Sequence, residues 1–571
     1  MLPISGSFVY LFATAYLLGN GFLILLKRVG IKETNRSRGI LNFLLGIGIL
    51  TVYAQVVSLF TKVSYHWALA ALTVAICVGI ITRKSLILQA KMVWNSCKWY
   101  QWVLMGALVI LVMIVTSLYP SQYDNYLYQA QSIRFLEEYG CVKGTANIAA
   151  RLGFNNSIFA LMALASFKNL FNQYSLHTVN ACLCAICGAW AVYGITTRSE
   201  SKQYAVKAIQ TGIIAYVFYN MSLISSVGTD IPALLFTLMI LALWAELTEN
   251  GEKEAAPYGL LCLLIVFTLT IKFSMWILFI LVLPIAYQML MEKSWKSIGI
   301  LIGSGVLILV PFLIRNYYIS GWLLFPFEKL DLFQADWKVP IETVAHNAVR
   351  VYGWARIPGV STEATMQLSF REWWPVWWKN QTIVFRILYK LDFALILWEC
   401  FYVIAGIYNK NTEITKWILL KLTIISGFLY WAFSAPDVRF GWCYIVVLPL
   451  LCIATSEVIG NAFASWKNRI VTVLICVVLL GVFHGNHCMD YVKQSLVGRA
   501  NQKEFYLYQG DYAKMPVEAK EVNGVIFYFP VSDSCTGYYG FPGVQYEGDI
   551  ERIGFLGDSF QDGLFHITAK E

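Results

Sequence analysis

Tyr119-Pro120-Ser121-Gln122-Tyr123-Asp124-Asn125-Tyr126-Leu127-Tyr128 opens a polar, aromatic stretch that runs to Ser157, directly behind an apolar run. Proline lacks the backbone N–H that a helix interior needs, so Tyr119-Pro120 ends that run. The residues that follow read as a surface helix to Tyr139, with Gly140 as the residue just past its C-terminus. Asp124, Tyr128 and Gln131 stand at i, i+4 and i+7 and so share one face of that helix. Ala130, Ile133 and Leu136 are left to face the membrane or the protein body. A carboxylate just outside a bilayer span, set among hydrogen-bonding side chains, suits a general base. Aspartate is also a good helix N-cap. The residues of this stretch support both readings.

Composition sets the surroundings. The chain has 571 residues, of which 58% are hydrophobic and 13% charged, with a mean hydropathy of +0.60. Soluble domains carry roughly 25% charged residues. Many apolar runs reach the ~20 residues that a bilayer crossing needs. The expectation is an all-α polytopic membrane protein with about fourteen spans, near 6–26, 40–61, 66–82, 101–118, 175–196, 205–226, 231–248, 257–271, 274–291, 297–314, 384–406, 416–434, 440–459 and 469–484. The apolar residues 156–170 are short for a crossing and read as an interfacial or re-entrant helix. The first run, Ser7 to Leu26, has no basic residue before it and reads as a retained helix rather than a cleaved signal. Five regions follow: membrane segments 1–100, 101–315 (with the loop 119–157) and 384–484, a large polar loop 316–383, and a soluble tail 485–571. Gly524-Val525-Ile526-Phe527-Tyr528-Phe529 marks a strand in that tail, which reads as a small α/β or β-rich unit.

The net charge of +9 does not point to nucleic acid, because the basic excess lies in short loops between spans. Lys27, Arg28, Lys32, Arg36 and Arg38 fill one such loop; Arg83, Lys84, Lys91 and Lys98 the next; then Arg198, Lys202 and Lys207, then Lys293 and Lys296, then Lys410, then Lys467 and Arg469. Placing these inside puts both termini outside. Asp124, Asp230, Lys272, Arg315, the loop 315–382, Asp437, Arg439 and the tail then share the outer face. Cys488 and Cys535 also lie outside, where a disulfide can form, although spacing does not show that they pair. Cys182, Cys184 and Cys187 sit within a span with no histidine to complete a metal site. His484 and His487 lack an evident third ligand.

Each candidate has a plain structural role beside a chemical one. Asp230, between Gly228-Thr229 and Ile231-Pro232, either caps a helix or meets Asp124 as a second carboxylate. Lys272 interrupts an apolar stretch and either snorkels or contacts a lipid-linked phosphate. Arg315-Asn316, where a span emerges, suits bidentate phosphate recognition or interfacial anchoring. Asp437 and Arg439 pair with each other or face a shared cavity. The tryptophans of 316–383 suit a segment lying on the bilayer, or platforms for sugar rings.

Tyr123-Asp124-Asn125 after a span, the 156–170 helix, Gly228-Thr229-Asp230-Ile231-Pro232, the break Ile271-Lys272-Phe273-Ser274 and the outward Arg315-Asn316 together resemble the GT-C superfamily of membrane glycosyltransferases. Phe325-Pro326-Phe327, Asp331-Leu332-Phe333 with Asp336-Trp337-Lys338-Val339-Pro340, and Asp437-Val438-Arg439-Phe440 look similar to a bacterial branch of such proteins. The likeness covers roughly residues 100–485. It implies a multi-pass enzyme of the plasma (inner) membrane that moves a sugar from a polyprenyl-phosphate donor to a glycan, lipid or protein acceptor at the outer face. Asp124 is then the base that deprotonates the acceptor hydroxyl, and attack is direct, with inversion. Lys272, Arg315 and Arg439 take the donor phosphate, while Tyr123, Asn125, Tyr128, Asp230 and Asp437 line the substrate site. Three spans precede the loop-bearing one where the family usually has one. A single aspartate followed by asparagine replaces a paired acidic motif, which leaves use of a divalent metal open. A lipid-linked glycan polymerase or ligase is the nearest alternative. A transporter or flippase is the third, though inverted repeats of the kind common in transporters are not evident.

Overall fold

The computed structural model describes residues 1–31, 33, 38–170, 174–197, 204–408, 416–455 and 508–567. The last expected span (469–484), Lys32, Arg36, Arg198, Lys202, Lys410, Lys467, Arg469, His484, His487 and Cys488 lie outside the described residues, as does any pairing of Cys488 with Cys535.

Helices α1 (Leu2–Arg28), α2 (Arg38–Phe60), α3 (Tyr65–Ile81), α4 (Arg83–Ser96) and α5 (Trp99–Thr116) lead to the organising stretch. There α6 (Ala130–Glu138) and the short α7 (Ser157–Leu164) follow. The chain returns to the bundle with α8 (Val179–Thr196), α9 (Tyr204–Tyr219), α10 (Asp230–Glu249), α11 (Ala255–Ile271), α12 (Phe279–Met291) and α13 (Trp295–Ser320). The large loop holds α14 (Ile341–Arg356), α15 (Thr362–Gln367) and α16 (Phe370–Asn380). Helices α17 (Ile383–Tyr408), α18 (Ile418–Phe433) and α19 (Val438–Thr455) close the described bundle.

Among the described residues, α1, α2, α5, α8, α10, α12 with the turn from Phe273 before it, α13 and α19 are long and apolar enough to cross a bilayer. These eight helices are compatible with a multi-pass membrane protein. The ninth candidate is α3 with α4, bent by 83° between them. The expected loop of Arg83, Lys84 and Lys91 is thus helix α4, whose exposed Ile87, Leu88, Met92 and Trp94 suit a surface-lying segment. Of the other expected spans, 469–484 lies outside the described residues. Helices α9, α11 and α18 have 16 or 17 residues, only about 25 Å at 1.5 Å each. Helix α17 has 26 residues but carries Arg386, Lys390, Asp392 and Glu399.

Helix α10 is the buried axis, with 94% of its apolar window inside the protein. It packs on α9, α11, α8 and α19, so its first residue, Asp230, is fixed among several elements. Helices α1 and α2 approach closely at glycines. A Cβ on Gly46 would sit 1.7 Å from the Ala15 carbonyl oxygen, so only glycine fits. Helix α7 has eight residues, too short to cross. It is fully buried between α2, α6 and α11, enclosed by protein as a re-entrant helix would be.

The tail is no independent appendage. Its described part has two hairpin-like pairs, β1 (Val517–Val522) with β2 (Val525–Pro530) and β3 (Ile553–Phe555) with β4 (Leu564–His566), both antiparallel. It docks on the organising stretch because that stretch offers buried donors and acceptors. Gln131 Nε2 donates to the carbonyls of Gly537 (2.6 Å) and Gly540 (2.7 Å), and its Oε1 accepts from the Gly543 N–H. Arg134 donates to Tyr538 O at 2.7 Å, and the Tyr538 hydroxyl donates to buried Glu137 at 2.5 Å. Gln131 therefore faces the tail. Asn125–Gln129 form a π-helical turn, which breaks the expected i, i+4, i+7 face. Gln131→Ala leaves the Gly537, Gly540 and Gly543 backbone groups unpaired, at about 1–3 kcal/mol in all. Protease cleavage between Gly510 and Val544 is expected to speed up roughly 10- to 100-fold, since cleavage follows the open population. An unchanged cleavage rate contradicts this docking account.

Candidate functional site

The site begins where α5 stops. Its last turn gives way at Tyr119-Pro120, and the backbone is then clasped to the turn before α10. Ser226 Oγ accepts from the N–H groups of Ser121 (3.3 Å) and Gln122 (3.2 Å), and Ser225 Oγ donates to Tyr119 O. Asn125 Oδ1 accepts from the Val227 N–H, and Asn180 Nδ2 donates to the carbonyls of Ser226 and Gly228. A Cβ on Gly228 would lie 2.1 Å from Gln122 Oε1 and would push that side chain aside. This clasp sets Asp124 beside Asp230.

The turn between α18 and α19 delivers the third carboxylate. Trp377 Nε1 donates to Pro436 O at 2.7 Å and Trp431 Nε1 to Asp437 O at 2.6 Å. Trp377 of α16 stacks on Tyr389 and meets Trp431 edge to face. Trp373 and Trp377 are buried and present no open face, and Trp377 braces the Asp437 turn.

Arg439 is the hub. Its Nη1 donates to Asp124 Oδ2 at 2.8 Å, and its Nε lies 3.2 Å from Asp437 Oδ2 and 4.0 Å from Asp230 Oδ2. Lys272, at the break after α11, pairs with Asp230 Oδ1 and lies 3.9 Å from the centre of the Phe440 ring. The five side chains are 16% to 32% exposed, enough for solvent or a substrate to reach them. Three carboxylates against two cations leave one negative charge, and a third cation stands by. Arg151 lies within electrostatic reach of Asp124, Tyr128 and Tyr123. Burial and then Arg350 push its guanidinium down from its ordinary value, and Asp124 works the other way. Burial first, then Asp124, push the Tyr128 hydroxyl up, so it keeps its proton and can act as a donor.

Of the residues singled out from sequence, Asp124, Asp230, Asp437, Lys272 and Arg439 come together, with Tyr128 beside them. Asp124 stands at the cap position of the π turn but makes no cap hydrogen bond there. Asn125 is fully buried and braces the clasp. Tyr123 donates to Asp533 of the tail at 2.7 Å. Arg315 is not brought to the cluster. It is 2% exposed and lines a cavity with Cys141, Asn155 and Phe159. Cys182, Cys184 and Cys187 are all buried within α8. Among the described residues no three His, Cys, Asp or Glu side chains are arranged to hold a metal ion, and Arg439 stands between the three aspartates that converge.

Sequence reasoning missed Arg151, which lies inside the organising stretch but has no motif to mark it. It also missed the tail's share: Cys535 is within electrostatic reach of Asp124, Arg151 and Tyr123, with its thiol pushed up mainly by burial.

The model of a domain of unknown function, DUF8201, matches residues 1–446. The chain belongs to the DUF8201 family. The DUF8201 match takes in all five clustered residues and ends within α19, before the docked tail. No curated protein matches the chain, and no solved structure does either.

Proposed function

We propose that this DUF8201 chain is an integral-membrane glycosyltransferase that moves a sugar from a polyprenyl-phosphate donor to a cell-envelope acceptor at the outer face. The observation that carries the reading is the convergence of Asp124, Asp230, Asp437, Lys272 and Arg439 from four separate segments at one end of the bundle. Sugar transfer to a hydroxyl needs a base for the acceptor proton and cations for the phosphate that leaves. Asp124 supplies the base. Its Oδ2 is held by Arg439, and its Oδ1 has no donor among the described residues, so that oxygen is open to an acceptor hydroxyl. Lys272 and Arg439 supply the charge that stabilises the leaving phosphate, with Asp230 and Asp437 holding them in place until the donor arrives. Tyr128 adds a donor to the substrate hydroxyls. Arg315, enclosed in its own cavity, takes no part.

Lys27, Arg28, Arg38, Lys207, Lys293 and Lys296 stand at helix ends away from the cluster, which on this reading is the inner side. A membrane-impermeant thiol reagent applied to intact cells is expected to label a cysteine placed at exposed Ser532 and not one placed at exposed Lys84. Peptide mass spectrometry reads each position separately. The reverse labelling pattern contradicts an outward-facing site.

A further inference from the structure

Three ionisable side chains stand within the bundle, away from the outer cluster. Asp392 and Glu399 lie seven residues apart on α17, two turns along one face and about 10 Å in rise. Lys421, on α18, donates to Glu399 Oε2 at 2.7 Å, with the two side chains 2% and 1% exposed. Asp392 is fully buried, and among the described residues neither of its oxygens has a hydrogen-bond partner. A packing role accounts for the Glu399–Lys421 pair but not for Asp392. A bare carboxylate there would cost several kcal/mol, so the group is accommodated as the neutral acid. Ionisable groups in such positions in membrane bundles mark ion and proton pathways.

The surroundings make the three part of a lane. Tyr389, one turn before Asp392, lies within electrostatic reach of Asp392, of Asp437 in the outer cluster, and of Tyr219 on α9. Cys452, on α19, lies within electrostatic reach of Asp392, Glu399 and Lys421. Protonatable groups therefore continue from Asp437 through Tyr389 and Asp392, past Cys452, to the Glu399–Lys421 pair, about two thirds of the way along α17.

We propose that α17, α18 and α19 carry a proton relay through the bundle, with Asp392 as the carrier. Asp392 gives its proton toward Glu399 and takes one from the Tyr389 side, or the reverse. Only O–H bonds are made and broken, and Lys421 keeps its charge as the counter-ion that lets Glu399 stay ionised between transfers. The relay does not rest on the glycosyl-transfer reading.

The test uses the full chain in liposomes that hold a pH-sensitive dye, with a potassium gradient and valinomycin to impose a potential. Wild-type protein is expected to change the lumenal pH faster than protein-free vesicles. Asp392→Asn is expected to fall to the protein-free rate, and Asp392→Glu to retain flux. Glu399→Gln is expected to lose flux as well, which keeps the test decisive if the Asp392→Asn variant does not fold. Wild-type flux no faster than protein-free vesicles overturns the proposal, and so does undiminished flux in folded Asp392→Asn or Glu399→Gln.

Discussion

Asp124→Asn is expected to lower sugar transfer by about 10²–10⁴-fold, the usual contribution of a general base. The substitution is nearly isosteric. Its amide oxygen can still accept from Arg439 Nη1, and asparagine is as good an N-cap as aspartate. Folding and membrane insertion are therefore expected to hold, with any stability loss confined to the charge-assisted part of one hydrogen bond. A purely structural Asp124 predicts the opposite pattern, little change in rate. The absence of a side-chain cap bond at this position already weighs against the capping role. Transfer in proteoliposomes at matched protein amounts decides. Near-wild-type turnover would move the choice of base to Asp230 or Asp437.

Arg439→Ala is expected to do wider damage. It leaves Asp124, Asp230 and Asp437 together with only Lys272 to offset them. Removing one partner of a fully buried ion pair costs about 3–5 kcal/mol. At 32% exposure water screens part of this, and a loss of about 2 kcal/mol is expected, with activity abolished. Arg439→Lys keeps the charge but not the planar fork, so it can satisfy one carboxylate and not three. It is expected to restore much of the stability and little of the transfer. Thermal unfolding in detergent, read beside the transfer assay, checks both. Wild-type stability in Arg439→Ala would mean that the three aspartates are not held by Arg439.

Much of the bundle was legible because apolar runs and their breaks are local signals. Pro120, Gly228 and Lys272 each end an element near where the sequence places an end. That α7 is enclosed was not legible, because an apolar octet reads alike at an interface and in a core; only its neighbours show it. The clustering of Asp124, Asp230 and Lys272 was partly legible, since each stands at a helix end on the same side. That Arg439 would bind three aspartates was not, because the contact with Asp124 joins residues 315 apart in the chain. Nor was the docking of the tail on Gln131, whose partners are mostly backbone carbonyls of glycines with no sequence mark. Asp392 and Glu399 were passed over because single charges within a long apolar helix leave the hydrophobic pattern intact.

The central claim is tested most directly by offering the reconstituted protein a pool of polyprenyl-phosphate-linked sugars extracted from bacterial membranes, together with envelope acceptors, and following the lipids by mass spectrometry. The account predicts that wild-type protein depletes a lipid-linked sugar and releases an equal amount of polyprenyl phosphate, while Asp124→Asn does neither. A pool left intact by wild-type protein, or consumed equally by Asp124→Asn, would contradict it.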